Sequence, residues 1–232
     1  MPSLLSSFLD LMLPHRCPFC DSISKEPLCP ECTDAVRFIS PPFCIACGVP
    51  FKSDSIKNHT CGECMKKKRH FSWARGVLIY NDASAKAIHR FKYNKDTTFS
   101  KALGSIISRY HDLEGFDVLI PVPLHIDRLR ERGFNQSLLL ARAVGKRNRI
   151  PVDPFALKRT RWTEPQVNLS GKERKINVKG AFEVQGNVRG RSILLIDDVY
   201  TTGATVGECS KVLRKNGARE VCVLKLARTA EL

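Results

Sequence analysis

The stretch Ile193-Leu194-Leu195-Ile196-Asp197-Asp198-Val199-Tyr200-Thr201-Thr202-Gly203-Ala204-Thr205 constrains the fold more than any other part of the chain. An uninterrupted apolar run ends in two carboxylates, and a short Thr/Gly loop then opens a helical pattern. A run with no polar alternation is the mark of a strand buried on both faces, as in a parallel sheet. Backbone N–H groups and Thr hydroxyls in the loop can wrap a phosphate, and the positive end of the helix dipole adds to that attraction. Gly203 permits a close backbone approach that a side chain would block. At the strand tip, Asp197 and Asp198 can accept hydrogen bonds from a ribose diol, and acidic pairs also hold Mg²⁺ through its water shell. A capped helix after a buried strand would account for Thr202, but not for two adjacent acids directly before such a loop.

The rest of the larger region repeats the strand–helix alternation. Ala74–Tyr80, Asp117–Pro121, Ser192–Ile196 and Glu220–Leu226 read as strands. Ala83–Tyr93, Phe99–Tyr110, Asn135–Arg147 and Ala204–Lys215 read as helices. That order predicts an α/β fold with a parallel sheet and helices on both faces, ligands binding at the carboxyl ends of the strands.

Before this region the composition differs. Eight of the ten cysteines fall in C-x-x-C pairs: Cys17/Cys20, Cys29/Cys32, Cys44/Cys47 and Cys61/Cys64. Two thiolates at this spacing on a tight turn converge on one tetrahedral zinc, so four pairs supply two closed, structural Cys₄ sites. Disulfides are the competing reading, and the absence of a secretion signal disfavours them. Sequential ribbons group 17/20/29/32 and 44/47/61/64; an interleaved cross-brace groups 17/20/44/47 and 29/32/61/64. The sequential arrangement is the expected one. With few apolar residues of its own, the head is expected to fold only with metal bound. Cys209 and Cys222 fall in a helix and a strand, and read as core thiols. The boundary is set near residue 68, within Lys66-Lys67-Lys68-Arg69, giving domains 1–68 and 69–232.

The net charge of +15 favours phosphorylated ligands or nucleic acid as partners. Leu5, Phe8, Leu9 and Met12 fall at helical spacing before Pro14. That stretch is short of the about 20 apolar residues a membrane span needs, so a docked helix, no membrane insertion and a cytoplasmic protein are expected. A basic loop, Arg128-Leu129-Arg130-Glu131-Arg132-Gly133-Phe134-Asn135-Gln136, is expected after the Pro121-Val122-Pro123-Leu124 strand end. A second, Arg161–Lys175, carries Gln166, Ser170, Lys172 and Arg174 with little periodicity, and reads as a mobile loop able to close over a ligand.

The Ile196–Thr205 stretch resembles the signature of type I phosphoribosyltransferases. The resemblance implies that Asp197 and Asp198 hold the ribose hydroxyls of 5-phosphoribosyl-1-pyrophosphate (PRPP). It also implies that Thr201, Thr202, Gly203, Ala204 and Thr205 hold the 5-phosphate, with Mg²⁺ bridging ribose and pyrophosphate. Arg128, Arg130 and Arg132 would face the pyrophosphate. Thr201 stands where the 6-oxopurine enzymes carry an acidic base, which disfavours hypoxanthine- or guanine-type activity.

Taken with the cysteine head, the P-V-P-L, R-G-F-N-Q and Q-x-x-L-S-x-x-x-R segments, N-V-K-G-A-F and I-D-D-V-x-T-T-G-A-T, nearly the whole chain resembles the ComF family. Those competence-associated proteins join a zinc-ribbon head to a phosphoribosyltransferase-like domain. The resemblance implies a role in natural transformation, handling incoming single-stranded DNA on the cytoplasmic side, with helicase or uptake proteins as partners. Two other roles stay open: an active phosphoribosyltransferase acting on a nucleobase-like acceptor, and a PRPP-sensing regulator that binds nucleic acid. Lys66–Arg69 beside Phe71 and Trp73 is a candidate single-strand contact, and His89, Phe91, Lys92 and Tyr93 a candidate hood over an acceptor.

Overall fold

A computed structural model of the chain describes residues 16–52, 57–93, 99–163 and 170–230. The helix expected around Leu5–Met12 and Gln166 lie outside the described residues, as does the Lys172 side chain. The head contributes two short helices, α1 (Pro30–Ala35) and α2 (Gly62–Lys66). The body then runs β1 (Ala74–Ile79), α3 (Asp82–Tyr93), α4 (Phe99–Tyr110), β2 (Val118–Pro121), α5 (Ile126–Arg132) and α6 (Gln136–Asn148). It continues with β3 (Leu157–Arg159), α7 (Gly171–Val178), β4 (Phe182–Val184), β5 (Ser192–Tyr200), α8 (Ala204–Lys215) and β6 (Glu220–Arg228).

Four strands form a parallel sheet in the order β1-β6-β5-β2. Strand residues alternate between two apolar layers, so β5 and β6 must be apolar at nearly every position. Leu194, Ile196, Leu224 and Leu226 pack with Phe91 of α3, Leu103 and Ile107 of α4, and Leu140 and Val144 of α6. On the other face, Ile193, Leu195, Val221 and Val223 pack with Val206, Cys209 and Leu213 of α8 and with the antiparallel β3–β4 pair. Cys209 and Cys222 are fully buried core thiols, as expected.

The head is joined to both layers. Residues 37–39 pair antiparallel with β1, Ile39 N–H donating to the Val77 carbonyl and Ile79 N–H to the Arg37 carbonyl, each at 2.8 Å. Phe19, Leu28 and Val36 enter the α3–α4–α6 layer, whereas Cys44 and Cys47 enter the α8 layer. Gly48 sits at the seam with φ +70°, and a Cβ there would lie 2.5 Å from the Ala74 carbonyl oxygen. Only glycine meets both demands.

Parts of two segments read as loops are helical: Ile126–Arg132 of the first and residues 171–175 of the second. In α5, the His125 ring caps the N-terminus by accepting from Asp127 N–H, and Gly133 ends the helix at φ 84°. In α7, Ser170 and Glu173 form a capping box, which supplies the stop and start that hydrophobic periodicity does not. Strand β5 runs on to Tyr200 rather than ending at Ile196, because Asp197, Val199 and Tyr200 stay in register with Lys225, Ala227 and Arg228.

Candidate functional site

Each group of four cysteines converges so that all its sulfurs lie within 4.8 Å of one another, in the sequential grouping 17/20/29/32 and 44/47/61/64. Four thiolates at about 2.3 Å from a central zinc stand roughly 3.8 Å apart. The Cys47–Cys61 sulfur separation of 3.8 Å and the Cys20–Cys29 separation of 3.4 Å fit that geometry. Backbone N–H groups favour the thiolate form at Cys44: burial pushes its thiol up, but N–H groups of Cys47, Cys61 and Ala46 bring it down to about 6, whereas burial pushes Cys47 up to about 12. The Ser22 hydroxyl brings Cys20 to about 6 as well. All the described cysteines are free thiols. These are two structural zinc sites, closed by four protein ligands each.

The second site is a cleft of about 600 Å³ at the carboxyl ends of β2 and β5. At its floor stands the acidic pair. Asp197 accepts from the Ser137 hydroxyl at 3.0 Å and from Lys225 Nζ at 2.6 Å, and Lys225 also donates to the Val199 carbonyl at 2.6 Å. Asp198 accepts from Lys92 Nζ at 2.6 Å and from Val199 N–H at 2.7 Å. Burial pushes the Asp198 carboxyl up, but Lys92 first and then Lys225 more than offset it and hold the group below the usual range. Burial likewise pulls the Lys92 ammonium down, and Asp198 reverses the shift.

Beside the acids, Tyr200 ends the strand and Gly203 turns the chain into α8 at φ +74°. A Cβ at Gly203 would stand 2.2 Å from the Tyr200 hydroxyl, so the buried ring under the loop fixes glycine there. Thr201, Gly203, Ala204 and Thr205 line the cleft, and the Thr202 hydroxyl accepts from Ala204 N–H at 3.3 Å.

Arg128 and Arg132, one helical turn apart on α5, both line the cleft. Arg130, two positions along, faces solvent with a 75 % exposed side chain and pairs with Asp127 at 3.6 Å. The helix that replaces the expected loop is what separates the three arginines. Arg174 lines the cleft from α7, whereas Ser170 lies on a neighbouring cavity. The proposed hood divides: Lys92 and Tyr93 line the cleft, Phe91 is core, and the His89 ring leans on Tyr93 at 4.5 Å. Phe71 is buried and Trp73 packs edge-on against Phe116, so neither ring of the candidate single-strand contact is offered for base stacking. Both serve the core of the head–body seam.

Sequence reasoning missed several cleft residues. Lys225 is 3 % exposed in an otherwise apolar strand, and a lone cation inside E-V-C-V-L-K-L is the signal that could have found it. Ser137 and Gln136 open α6, and Arg159 comes from the short β3. Gln136 Nε2 and Arg159 Nε are buried without a partner, leaving donors in the cleft wall for an anionic ligand. No spacing pattern in the sequence points to Arg159.

The fold and site define a class: an α/β domain with an acidic pair and a phosphate-type loop at its strand tips, braced by a double zinc ribbon. Residues 8–65 match the double zinc ribbon domain family. Competence protein F of Haemophilus influenzae is 34% identical over 228 residues, 92% of this chain and 96% of that protein. DNA utilization protein YhgH of Escherichia coli K12 is 33% identical, covering 94% of this chain and 99% of the relative. Competence protein ComFC of Bacillus subtilis is 28% identical over 83% of this chain and 80% of its own length. The chain belongs to the ComF family of competence and DNA-utilization proteins. Among solved structures, it is similar to glutamine PRPP amidotransferase from B. subtilis, at a TM-score of 0.42 and 22% identity over 59% of this chain and 30% of that one. A purine phosphoribosyltransferase from Pyrococcus horikoshii gives 0.34 and 21% over 57% of this chain and 74% of that one.

Proposed function

We propose that the cleft binds PRPP or a related phosphoribosyl ligand, and that the chain serves DNA uptake in natural transformation, handling single-stranded DNA on the cytoplasmic side. The observation that carries the ligand is the pairing of two strand-tip carboxylates, each fixed by a lysine, with a glycine-bearing loop that opens α8. Each carboxylate oxygen already has a protein donor but keeps a second lone-pair direction for a ribose hydroxyl. The 5-phosphate falls to Thr201–Thr205. Arg128, Arg132, Arg159 and Arg174 are within reach of the pyrophosphate, and Arg130 takes part only if α5 turns.

The donor set suits Mg²⁺ that arrives with the pyrophosphate and meets Asp197 and Asp198 through water, since both acids spend direct contacts on lysines. Such a cation would supply charge neutralisation on the departing pyrophosphate if transfer takes place. The zinc head, residues 1–68, braces the domain 69–232 in this reading. The DNA role is supported by the relatives' names and by the net charge of +15.

Thermal melting of the zinc-loaded protein tests the ligand. PRPP with Mg²⁺ at 100 times its dissociation constant should add about 2.7 kcal/mol to stability, and ribose 5-phosphate at equal concentration should add less. A melting point unmoved by PRPP would exclude it as the ligand. Pyrophosphate release on adding nucleobases would turn the reading toward an active transferase.

A further inference from the structure

A second cavity, of about 700 Å³, opens between the second zinc ribbon and the Thr201–Thr202 loop, sharing only Thr201 with the acidic-pair cleft. Lys67 and Arg69 line it from the junction of head and body, Lys175 from α7 and Arg228 from the end of β6. Glu63 is the single carboxylate of that lining among the described residues, and it is paired with Lys67 at 3.0 Å. Ser170 and Thr202 add hydroxyls.

Three polar atoms in this wall are buried without a partner: Arg69 Nε, Arg228 Nε and the Tyr200 hydroxyl. Tyr200 and Arg228 are themselves 2 % and 7 % exposed. Arg228 is fixed rather than searching, donating to the Cys47 carbonyl at 2.6 Å and stacking on the Tyr200 ring at 4.3 Å. Buried donors that lack acceptors are rare in folded proteins, and three around one basic cavity point to a missing oxyanion. Burial, then Lys67 and Arg69, push the Lys175 ammonium down, whereas Glu63 holds the Lys67 ammonium up.

The charge count indicates which anion. Four lining cations less Glu63 leave +3, and a zinc held by four thiolates adds −2 at the back wall, so about one positive charge is unmet. A phosphodiester carries one negative charge and four oxygens able to accept from these donors.

We infer that this cavity is a second phosphate site, separate from the acidic-pair cleft, built to seat one phosphodiester of a nucleic-acid strand between the ribbon and the loop. The site does not depend on what the acidic-pair cleft binds. Arg69 and Arg228 form its fixed wall, and Lys67 and Lys175 are the exposed arms that close on the ligand.

The test is amide NMR on the full-length, zinc-loaded, ¹⁵N-labelled chain, titrated with inorganic phosphate and with octathymidylate lacking terminal phosphates. Shifts are expected at Gly62, Lys67–Arg69, Ser170 and Lys175. Lys67→Gln/Lys175→Gln should weaken binding about tenfold or more, the loss of two charge-assisted hydrogen bonds, while the distant exposed pair Lys146→Gln/Lys215→Gln changes it less than about twofold. Octathymidylate displacing phosphate from these residues identifies a strand as the source. Phosphate binding there without displacement keeps the site and makes free phosphate its ligand. Shifts confined to Asp197–Thr205, or equal losses in both double variants, would overturn the proposal.

Discussion

Lys92 decides the ionisation of Asp198, and this can be read from the pH dependence of stability. Asp198 is held below its ordinary value of 3.8, and Lys92 above its ordinary 10.5. A depressed carboxyl stabilises the fold above its unfolded value, and that contribution is lost as pH falls through the folded value. A raised ammonium stabilises fully below its unfolded value and loses its contribution as pH rises through the folded one. The pair is therefore most stabilising between these limits. In Lys92→Met, burial of Asp198 is left largely unopposed, so protonation should relieve strain instead of releasing a partner. Urea midpoints between pH 3 and 6, compared between wild type and variant so that the shared zinc sites cancel, should show the slope due to this pair reversed in sign. An unchanged slope would mean that Lys225 alone holds Asp198. Gly203→Ala adds a Cβ against the Tyr200 hydroxyl and needs positive φ. It should cost about 1–3 kcal/mol in equilibrium unfolding and abolish phosphate-type binding at the loop.

At the scale of elements, the ribbons are part of the body's core rather than an appendage. Arg75 donates to the Ile45 carbonyl at 3.0 Å, Arg228 holds the Cys47 carbonyl, and Phe19, Leu28 and Val36 share a layer with α3 and α4. Zinc removal should therefore lower the melting temperature of the whole chain in one cooperative transition, with helical circular dichroism lost along with the metal. Two transitions, with the body melting at its holo temperature, would contradict this. Ser170→Ala removes half of the α7 capping box and should cost about 1 kcal/mol, measured by urea unfolding. The sheet strands and the long helices were legible because unbroken apolar runs and 3.6-residue periodicity mark buried elements directly. The helices α5 and α7 were not, since each is short and held by its caps, and at least half of the residues of each are charged.

For the molecule as a whole, the candidate site was half legible. The acids and the loop are contiguous in sequence, and their chemistry is explicit there. Ser137, Arg159 and Lys225 come from three separate elements, α6, β3 and β6, and only the folded arrangement brings them to the cleft at the carboxyl ends of the strands. The zinc grouping was open in sequence because both pairings satisfy the same spacing; the docking of one ribbon into each apolar layer separates them. The positive charge belongs to this scale as well. Binding of single-stranded oligonucleotides should weaken steeply with salt, log K falling by about 0.7 per phosphate neutralised for each tenfold rise in salt, which fluorescence anisotropy between 50 and 300 mM NaCl would read. A flat dependence would remove the electrostatic basis for a DNA role.

The central claim is that the acidic pair and its loop form a working PRPP pocket, and calorimetric titration of PRPP with Mg²⁺ into the zinc-loaded protein tests it most directly. Wild type should bind one equivalent in the micromolar range, about −8 kcal/mol, and Asp197→Asn/Asp198→Asn, shown by circular dichroism to be folded, should show no binding. Absence of binding by folded wild type, or equal binding by the double variant, would contradict the account.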